Sequence, residues 1–207
     1  MRNRRPIATN MTYTLIILNG LVFLAEQSNA DRLISLFALW PISGPAADVP
    51  DFHLWQLVTY SLLHANSMHL IFNMIGLYMF GRDVERTIGV IYMGILYLSS
   101  VVAGGIVQLI VTAVTAQIYP TLGASAGVFG LLTSYAVLFP KRRVLLLFPP
   151  IPMPAWLFAT GYAVLELLLG VSGSEGGVAH FAHLGGVFGA LALMFHWSKI
   201  SRRRQFD

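Results

Sequence analysis

Long apolar stretches, each bounded by polar or charged residues, dominate the hydrophobic pattern of this chain. Six of them approach the roughly 17–25 residues that a helix needs to cross the hydrocarbon core of a membrane. They cover residues 10–27, 68–80 with an extension to about 84, 89–111, 125–139, 153–170 and 178–197. A further stretch, residues 54–63, is too short to span and is predicted to be re-entrant or interfacial. The pattern therefore predicts an all-α membrane protein with six transmembrane helices.

Composition supports a membrane environment. The chain has 207 residues, of which 56% are hydrophobic and 11% are charged. Soluble domains carry about 25% charged residues, so a soluble fold of this size would leave much apolar surface uncovered, and lipid is expected to cover it. We predict a single transmembrane domain over residues 1–207, with short cytoplasmic basic tails at 1–9 and 198–207. The chain contains no cysteine, which excludes disulfides and thiol catalysis.

The basic residues predict the orientation, because Lys and Arg collect in cytoplasmic loops and flanks. All but one of the 13 Lys and Arg residues precede the first helix, follow the sixth, or lie between helices two and three or four and five. Arg32 is the exception. Both termini are therefore expected to be cytoplasmic. Since topology accounts for the positive charge, no nucleic-acid partner is expected.

Three polar side chains are predicted to lie at one depth in the membrane. With the N-terminus inside, helices two, four and six enter from the outer face, and they carry His69, Ser125 and His183 near their starts. At about 1.5 Å per residue, all three lie within about 10 Å of the outer boundary. Helix N-termini also direct unpaired N–H groups toward that level. A hydroxyl, an imidazole base and donors for an oxyanion together favour acyl transfer.

Ser125 lies in the pentapeptide Gly123-Ala-Ser-Ala-Gly127, which has the Gly-x-Ser-x-Gly pattern of soluble α/β-hydrolases. In those enzymes the pattern joins a strand to a helix, whereas here it lies between membrane helices, so the soluble-hydrolase interpretation is rejected. Small residues also allow membrane helices to pack closely. The pentapeptide by itself therefore does not establish catalysis.

Three motifs occur together: Gly123-Ala-Ser125 at a helix start, His69-Leu-Ile-Phe-Asn73 in helix two, and Ala182-His-Leu-Gly-Gly186 in helix six. This set resembles the rhomboid family of intramembrane serine proteases, over the chain from about residue 55 to the end of helix six. Residues 81–86 also resemble the family's turn after helix two, and residues 54–63 fall at its membrane-embedded first loop. The resemblance implies a six-helix rhomboid bundle, in the compact form known from bacteria, with an active site open to the outside.

The resemblance also implies a role for each site residue. Ser125 would be the nucleophile and His183 the general base of a Ser–His dyad. The backbone N–H of Ser125 and the side chains of His69 and Asn73 would form the oxyanion hole, and Gly123 would give the scissile peptide room. The implied partners are transmembrane protein substrates and the lipid bilayer, with cleavage near the outer membrane boundary. The expected location is the bacterial inner membrane.

Helix four and helix six offer no carboxylate beside His183, so a dyad without a buried Asp is expected. Phe129 lies one turn beyond Ser125 and is expected to support the site by packing against the His183 ring, although a core or lipid-facing role is also open. Glu166, in helix five, is expected to form a structural hydrogen bond or to border the substrate entrance.

Some positions differ from the family pattern. Ala126 replaces the glycine that commonly follows the serine, and Gln56 replaces the arginine that many members have after Trp55. In helix six, Gly185-x-x-x-Gly189 and Gly186-x-x-x-Ala190 are expected to let this helix approach helix four closely.

A zinc site is one chemical alternative, because His64, His69, His180 and His183 are all near the outer side. Zinc hydrolases commonly use three protein ligands and a general base, often as H-E-x-x-H, and that sequence is absent. No metal and no cofactor are therefore expected. His64 and His180 are interpreted as hydrogen-bonding residues near the outer rim.

The main alternative function is a non-catalytic rhomboid-like protein that binds or escorts membrane clients. Such a protein would be expected to lack the serine or the histidine, and this chain has both. A secondary transporter would predict corresponding broken helices in the two halves of the chain, and the sequence has no such pair.

Overall fold

The computed structural model describes residues 10–42, 49–145, 150–173 and 179–203, with side chains up to residue 199. Its helices are α1 Asn10–Phe37, α2 Gln56–Thr59, α3 Ser67–Gly76, α4 Arg82–Ile88, α5 Val90–Thr115, α6 Ser125–Leu138, α7 Ala155–Ser172 and α8 His180–Arg203. A 3₁₀ turn, Tyr60–Leu62, follows α2, and a π-helical turn, Leu77–Gly81, joins α3 to α4. The predicted tail 1–9 and residues 204–207 of the other tail lie outside the described residues.

The helices that could cross a membrane are fewer than the six predicted. By length and composition, three described segments qualify: Val90–Thr115, Ala155–Ser172 and His180–Lys199. Ser125–Leu138 is apolar but shorter. The other two predicted spans are α1, which is more polar, and the stretch from α3 to α4, which is divided by the π-helical turn. The structure is thus mostly helical with three candidate spans.

Helix α1 has its polar residues inside and apolar residues outside. Thr12, Asn19 and Glu26, spaced seven residues apart and therefore on one face, are buried, whereas Leu21 and Leu24 are exposed. A helix on the surface of a soluble protein has the reverse arrangement. Polar groups that face the bundle interior while apolar groups face outward are typical of a helix in lipid.

Glu85 of α4 fixes the start of α1. Its fully buried carboxylate accepts hydrogen bonds from the backbone N–H groups of Met11 and Thr12, each at 2.9 Å, and from the Thr12 hydroxyl at 2.6 Å. The first N–H groups of a helix have no partner within the helix, so a carboxylate at this end satisfies them and complements the helix dipole.

Helix α8 packs against α5, α6 and α7. The predicted close approach of its glycine face to helix four, which is α6, is correct for Gly186, because a Cβ there would lie 2.8 Å from the carbonyl carbon of Ala126. Gly185 and Gly189 instead face α5; a Cβ at Gly185 would lie 2.7 Å from the Gly104 Cα. One glycine-rich face of α8 therefore allows close contact with both α5 and α6.

The predicted re-entrant segment, residues 54–63, forms α2 and the 3₁₀ turn, which are too short to span a membrane. Gln56 is fully buried here; its Oε1 accepts from the backbone N–H groups of Trp40 and His53, each at 3.3 Å. Its Nε2 donates to the carbonyls of Leu36 and Asp51, each at 3.4 Å. A neutral amide thus anchors this loop.

The backbone differs from the prediction in two further places. Helix α1 continues to Phe37, with a non-helical residue at Asn29, because the apolar stretch marks the width of the membrane and not the end of the hydrogen-bonded helix. Residues Arg143–Leu145 and Pro152–Pro154 form a small antiparallel pair of strands, β1 and β2, in a fold predicted to be all-α.

Candidate active site

Ser125 is the first residue of α6, and the loop before it is held from two sides. The N–H of Gly123 donates to the carbonyl of Tyr60 at 2.9 Å, and Leu39 and Thr121 exchange two backbone hydrogen bonds of 2.9 Å. The first loop and the end of α1 therefore fix the position of the serine. Because the first-turn N–H groups of a helix lack partners within it, the N–H of Ser125 is suited to receive an anion.

Gly123 has a backbone conformation that other residues rarely adopt, with φ of +123°. A Cβ at this position would also lie 2.6 Å from Cε1 and 2.7 Å from Nε2 of His69. Glycine is therefore required both by the backbone and by the imidazole ring that packs against it. The resemblance implied that Gly123 lets the loop approach the scissile peptide, which stays a prediction, and the structure adds this contact with His69.

His183 contacts Ser125 directly. Its Nε2 lies 2.7 Å from the Ser125 Oγ, which is a hydrogen-bond distance, and its side chain is nearly buried. The ring stacks on Phe129, with centroids 4.6 Å apart and planes inclined by 7°. The contact expected between Phe129 and His183 is thus present, and it restricts the rotation of the imidazole.

A carboxylate lies beside His183, but it is a Glu and comes from a helix other than the two from which none was expected. The hydrogen bond expected for Glu166 is present. Glu166 of α7 is buried, and its Oε2 lies 2.8 Å from Nδ1 of His183. The prediction considered only the helices that carry Ser125 and His183, and the carboxylate comes from a third helix. One signal could have identified it, since an ionisable residue within an apolar helix has a functional role by default.

His180 and His64, both predicted to form hydrogen bonds, behave differently. His180 forms a hydrogen bond as predicted, because its Nδ1 lies 2.7 Å from the same Oε2 of Glu166. The ring nitrogens of His64 are buried, and the hydrogen bond predicted for this side chain stays a prediction. The His64 backbone N–H donates to the Glu26 carboxylate at 3.2 Å, and its ring contacts His69 edge-on, with centroids 5.1 Å apart.

Glu166, His180 and His183 are also the described residues whose chemistry could suit a metal. One donor atom from each lies within 4.8 Å of the others. The carboxylate oxygen is nevertheless within 2.7–2.8 Å of both Nδ1 atoms, a distance typical of hydrogen bonds. The prediction that the site uses no metal and no cofactor stays a prediction.

Asn73 is buried in α3, and its Nδ2 donates to the carbonyl of His69 one turn earlier, at 3.0 Å. His69, Asn73, Ser125 and His183 all line one cavity of about 940 Å³. Its volume is in the range of ligand-binding clefts, roughly 300–1,000 Å³. A hydroxyl paired with an imidazole therefore faces a space large enough for a short segment of peptide.

Comparisons with known proteins identify the family to which this chain belongs. Residues 51–200 match the family model described as Rhomboid domain. The chain is also 28% identical, over 184 residues, to "Rhomboid protein 1, mitochondrial" of Saccharomyces cerevisiae, a match that covers 83% of this chain and 53% of the relative. The chain thus spans about half the length of that relative. Because the family model covers most of the sequence, the chain belongs to the rhomboid family of membrane proteins, which includes serine proteases.

Proposed function

We propose that this protein is an intramembrane serine endopeptidase that hydrolyses peptide bonds of transmembrane proteins near the outer membrane boundary. The observation that carries the proposal is the 2.7 Å contact between the Ser125 Oγ and the His183 Nε2, inside a mostly apolar helical bundle. A non-catalytic protein that only binds membrane clients would have no need of a paired hydroxyl and imidazole.

In the proposed reaction, the Ser125 Oγ attacks the carbonyl carbon of the scissile peptide while its proton passes to Nε2 of His183. The resulting imidazolium returns this proton to the leaving amine as the C–N bond breaks. Water then attacks the acyl-enzyme ester while His183 accepts its proton, and the imidazolium returns that proton to the Ser125 Oγ as the C–O bond to the acyl group breaks. Both half-reactions use the same hydrogen-bonded pair.

The oxyanion of each tetrahedral intermediate needs donors. The backbone N–H of Ser125 at the start of α6 is one, and the side chains of His69 and Asn73, which line the same cavity, are the proposed others. Asn73 carries two N–H bonds on Nδ2, of which one serves the His69 carbonyl and the second is available for the oxyanion. Gly123 and Phe129 support the site through their contacts with His69 and His183.

The proposed topology has six spans with both termini in the cytoplasm. Two of these spans differ from a continuous apolar helix, since α1 is more polar and the α3–α4 unit is divided by the π-helical turn. The orientation follows from the positive-inside distribution of Lys and Arg. The site then opens toward the outer face. The comparison does not support the bacterial assignment made from the sequence, since the relative reported above is mitochondrial.

A serine-reactive fluorophosphonate tests the assignment. The purified protein in detergent or liposomes is expected to be labelled, and peptide mapping by mass spectrometry should place the label on Ser125. The described residues include other hydroxyls within helices, such as Ser100 and Ser134, and these should remain unmodified. Absence of labelling in a folded sample that binds membrane clients would favour the non-catalytic alternative.

The proposed oxyanion donors can be tested one at a time. Asn73→Ala and His69→Ala should each lower kcat by about 10²–10³-fold, the usual effect of removing one donor, with smaller changes in KM. Steady-state kinetics on a fluorogenic transmembrane substrate would give both constants. If KM rises while kcat is unchanged, these residues belong to substrate docking and not to the oxyanion hole.

Transmembrane substrates must reach the cavity from the side, and the cavity is lined by Ile75 of α3 and Tyr162 of α7. The chain has no cysteine, so cysteines introduced at these two positions are the only thiols. A reducible bifunctional thiol reagent of suitable length should then suppress cleavage of a transmembrane substrate while fluorophosphonate labelling continues, and reduction should restore cleavage. Each single-cysteine variant serves as control. Full cleavage by completely cross-linked protein would contradict entry between α3 and α7.

A further inference from the structure

A Ser–His dyad leaves the buried carboxylate of Glu166, next to the site, without a role. Glu166 lies in α7, a helix that the proposed reaction does not otherwise use, and its Oε2 is within hydrogen-bond distance of both His180 and His183. We propose that Glu166 is a positioning residue, which holds His183 in the tautomer that a general base requires. The inference rests on the proposed function, because it concerns the same base.

The argument begins with the two distances at one oxygen atom. Glu166 Oε2 lies 2.7 Å from Nδ1 of His180 and 2.8 Å from Nδ1 of His183. An ionised carboxylate oxygen is an acceptor only, with two lone pairs, so both contacts are hydrogen bonds only if each Nδ1 carries a proton. A neutral imidazole has one N–H. With the proton on Nδ1, the Nε2 of His183 has a free lone pair directed at the Ser125 hydroxyl, 2.7 Å away.

The other tautomer would be unproductive. With its proton on Nε2, His183 could not accept the proton of Ser125, and its Nδ1 lone pair would face the negative oxygen of Glu166. In soluble serine proteases an acidic residue stabilises the productive tautomer and the imidazolium that forms during the reaction. Glu166 is placed to do both for His183, although it belongs to a different helix from either reacting group.

The contacts of Glu166 differ from those of the other buried carboxylates in the described part of the chain. Glu26 accepts hydrogen bonds from a backbone N–H, and Glu85 accepts from two backbone N–H groups and a threonine hydroxyl. Glu166 accepts from imidazoles. A carboxylate within an apolar helix is costly unless it is paired, and here the pairing is with the proposed base.

A competing role for Glu166 is to anchor α7. Ala155 and Glu166 are the buried residues of this helix, whose other side chains are partly or fully exposed on the apolar surface. A residue that only anchors the helix would affect stability and substrate binding. A positioning residue affects the chemical step and the protonation site of His183, so the two roles predict different measurements.

Glu166→Leu tests the proposal, because leucine fills a similar volume and is well tolerated in an apolar helix. We expect kcat to fall by roughly 10²–10⁴-fold, as when the acidic residue of a soluble triad is replaced, and KM to change little. The rate of fluorophosphonate labelling should fall in parallel. Glu166→Gln keeps the shape of the side chain, but its amide N–H can donate to Nδ1 of His183 and favour the unproductive tautomer, so kcat should fall by a similar factor. A rise in KM at unchanged kcat would overturn the proposal in favour of anchoring.

The tautomer itself can be observed without any turnover. In protein labelled with ¹⁵N-histidine, the NMR shifts of the His183 ring nitrogens should identify a protonated Nδ1 and an unprotonated Nε2. In Glu166→Leu these shifts should move toward a mixture of both tautomers. Unchanged shifts would overturn the proposal even if the protein proved to have no protease activity. Conversely, the expected shifts in a protein that is never labelled at Ser125 would refute the proposed function alone.

Two controls complete the experiment. Glu85→Gln neutralises another fully buried carboxylate, one that fixes the start of α1, and it should lower the Tm without changing kcat or the His183 shifts. His180→Phe removes the second donor to Glu166 and should have a much smaller effect on kcat than Glu166→Leu. If a metal chelator instead alters the activity and the shifts of His180 and His183, the three residues hold a metal and the proposal is wrong.

Discussion

Ser125→Ala and His183→Ala are each expected to fold normally and to show no cleavage above background. The nucleophile and the base form one hydrogen-bonded unit, with Oγ and Nε2 2.7 Å apart, so either loss disables the same step. In soluble serine proteases such a loss costs on the order of 10⁶-fold in kcat. The double variant should be little worse than either single variant, because groups that act together are strongly non-additive. Cleavage of a transmembrane substrate in liposomes, followed by mass spectrometry, measures all three.

Each variant has a matched control on its own helix. Ser134 of α6 is fully buried and its hydroxyl donates to the carbonyl of Gly130, so Ser134→Ala should keep activity. His196 of α8 is exposed, and His196→Ala should also keep activity. Substantial turnover by purified Ser125→Ala would refute the serine-protease assignment. Additive losses in the double variant would mean that Ser125 and His183 act in separate steps.

The contact between Ser125 and His183 could be predicted from the sequence, because that prediction depends on few assumptions. Apolar stretches and basic flanks predict which helices enter from one face, and a residue's distance from the helix start then gives its depth. The structure brings Ser125, His183, His69 and Asn73 to one cavity. The pattern and the charges thus grouped Ser125, His183 and His69 correctly, while their depth in a membrane stays a prediction.

The role of Glu166 could not be predicted in the same way. Its depth is similar to that of His183, but a contact also requires that both side chains point toward each other, and this depends on how α7 is rotated about its axis. In a helix with apolar residues on all sides, periodicity does not fix that rotation.

Irregularities of the backbone also could not be predicted from the hydrophobic pattern. The π-helical turn at Leu77–Gly81 lies within a continuous apolar stretch, and the strands β1 and β2 pair residues of two short loop segments. Such features depend on contacts between elements, whereas the hydrophobic pattern reports only which residues avoid water. The hydrophobic pattern could predict where helices form, but it could not predict where a helix is interrupted.

The close approach of α8 to α6 holds Ser125 and His183 at their contact distance. Gly186 lies one turn after His183 in α8, and Ala126 follows Ser125 in α6. A Cβ at Gly186 would meet the backbone carbonyl of Ala126, whose carbon would be 2.8 Å away. Backbone atoms cannot rotate aside as a flexible side chain can, so a methyl group here must push the two helices apart.

Gly186→Ala is therefore expected to destabilise the protein strongly and to abolish activity in any fraction that remains folded. Overpacking of a well-packed core costs typically about 1–3 kcal/mol and sometimes more, and a clash with backbone should reach or exceed the upper end of that range. Thermal unfolding in detergent and fluorophosphonate labelling measure the two effects. Labelling should fall even at temperatures where the variant is folded, because the Ser125–His183 hydrogen bond is lengthened.

Gly161→Ala is the matched control, since Gly161 lies within α7 and a Cβ there would have no atom within 4 Å. Alanine is favoured over glycine in a helix interior by about 0.5–1 kcal/mol, so this variant should unfold at the same or a higher temperature and keep wild-type labelling. The pair of variants separates the effect of one methyl group at a helix contact from its effect on the helix itself. Wild-type stability and labelling in Gly186→Ala would show that α8 and α6 are not held by this contact, and that another interaction sets the distance between Ser125 and His183.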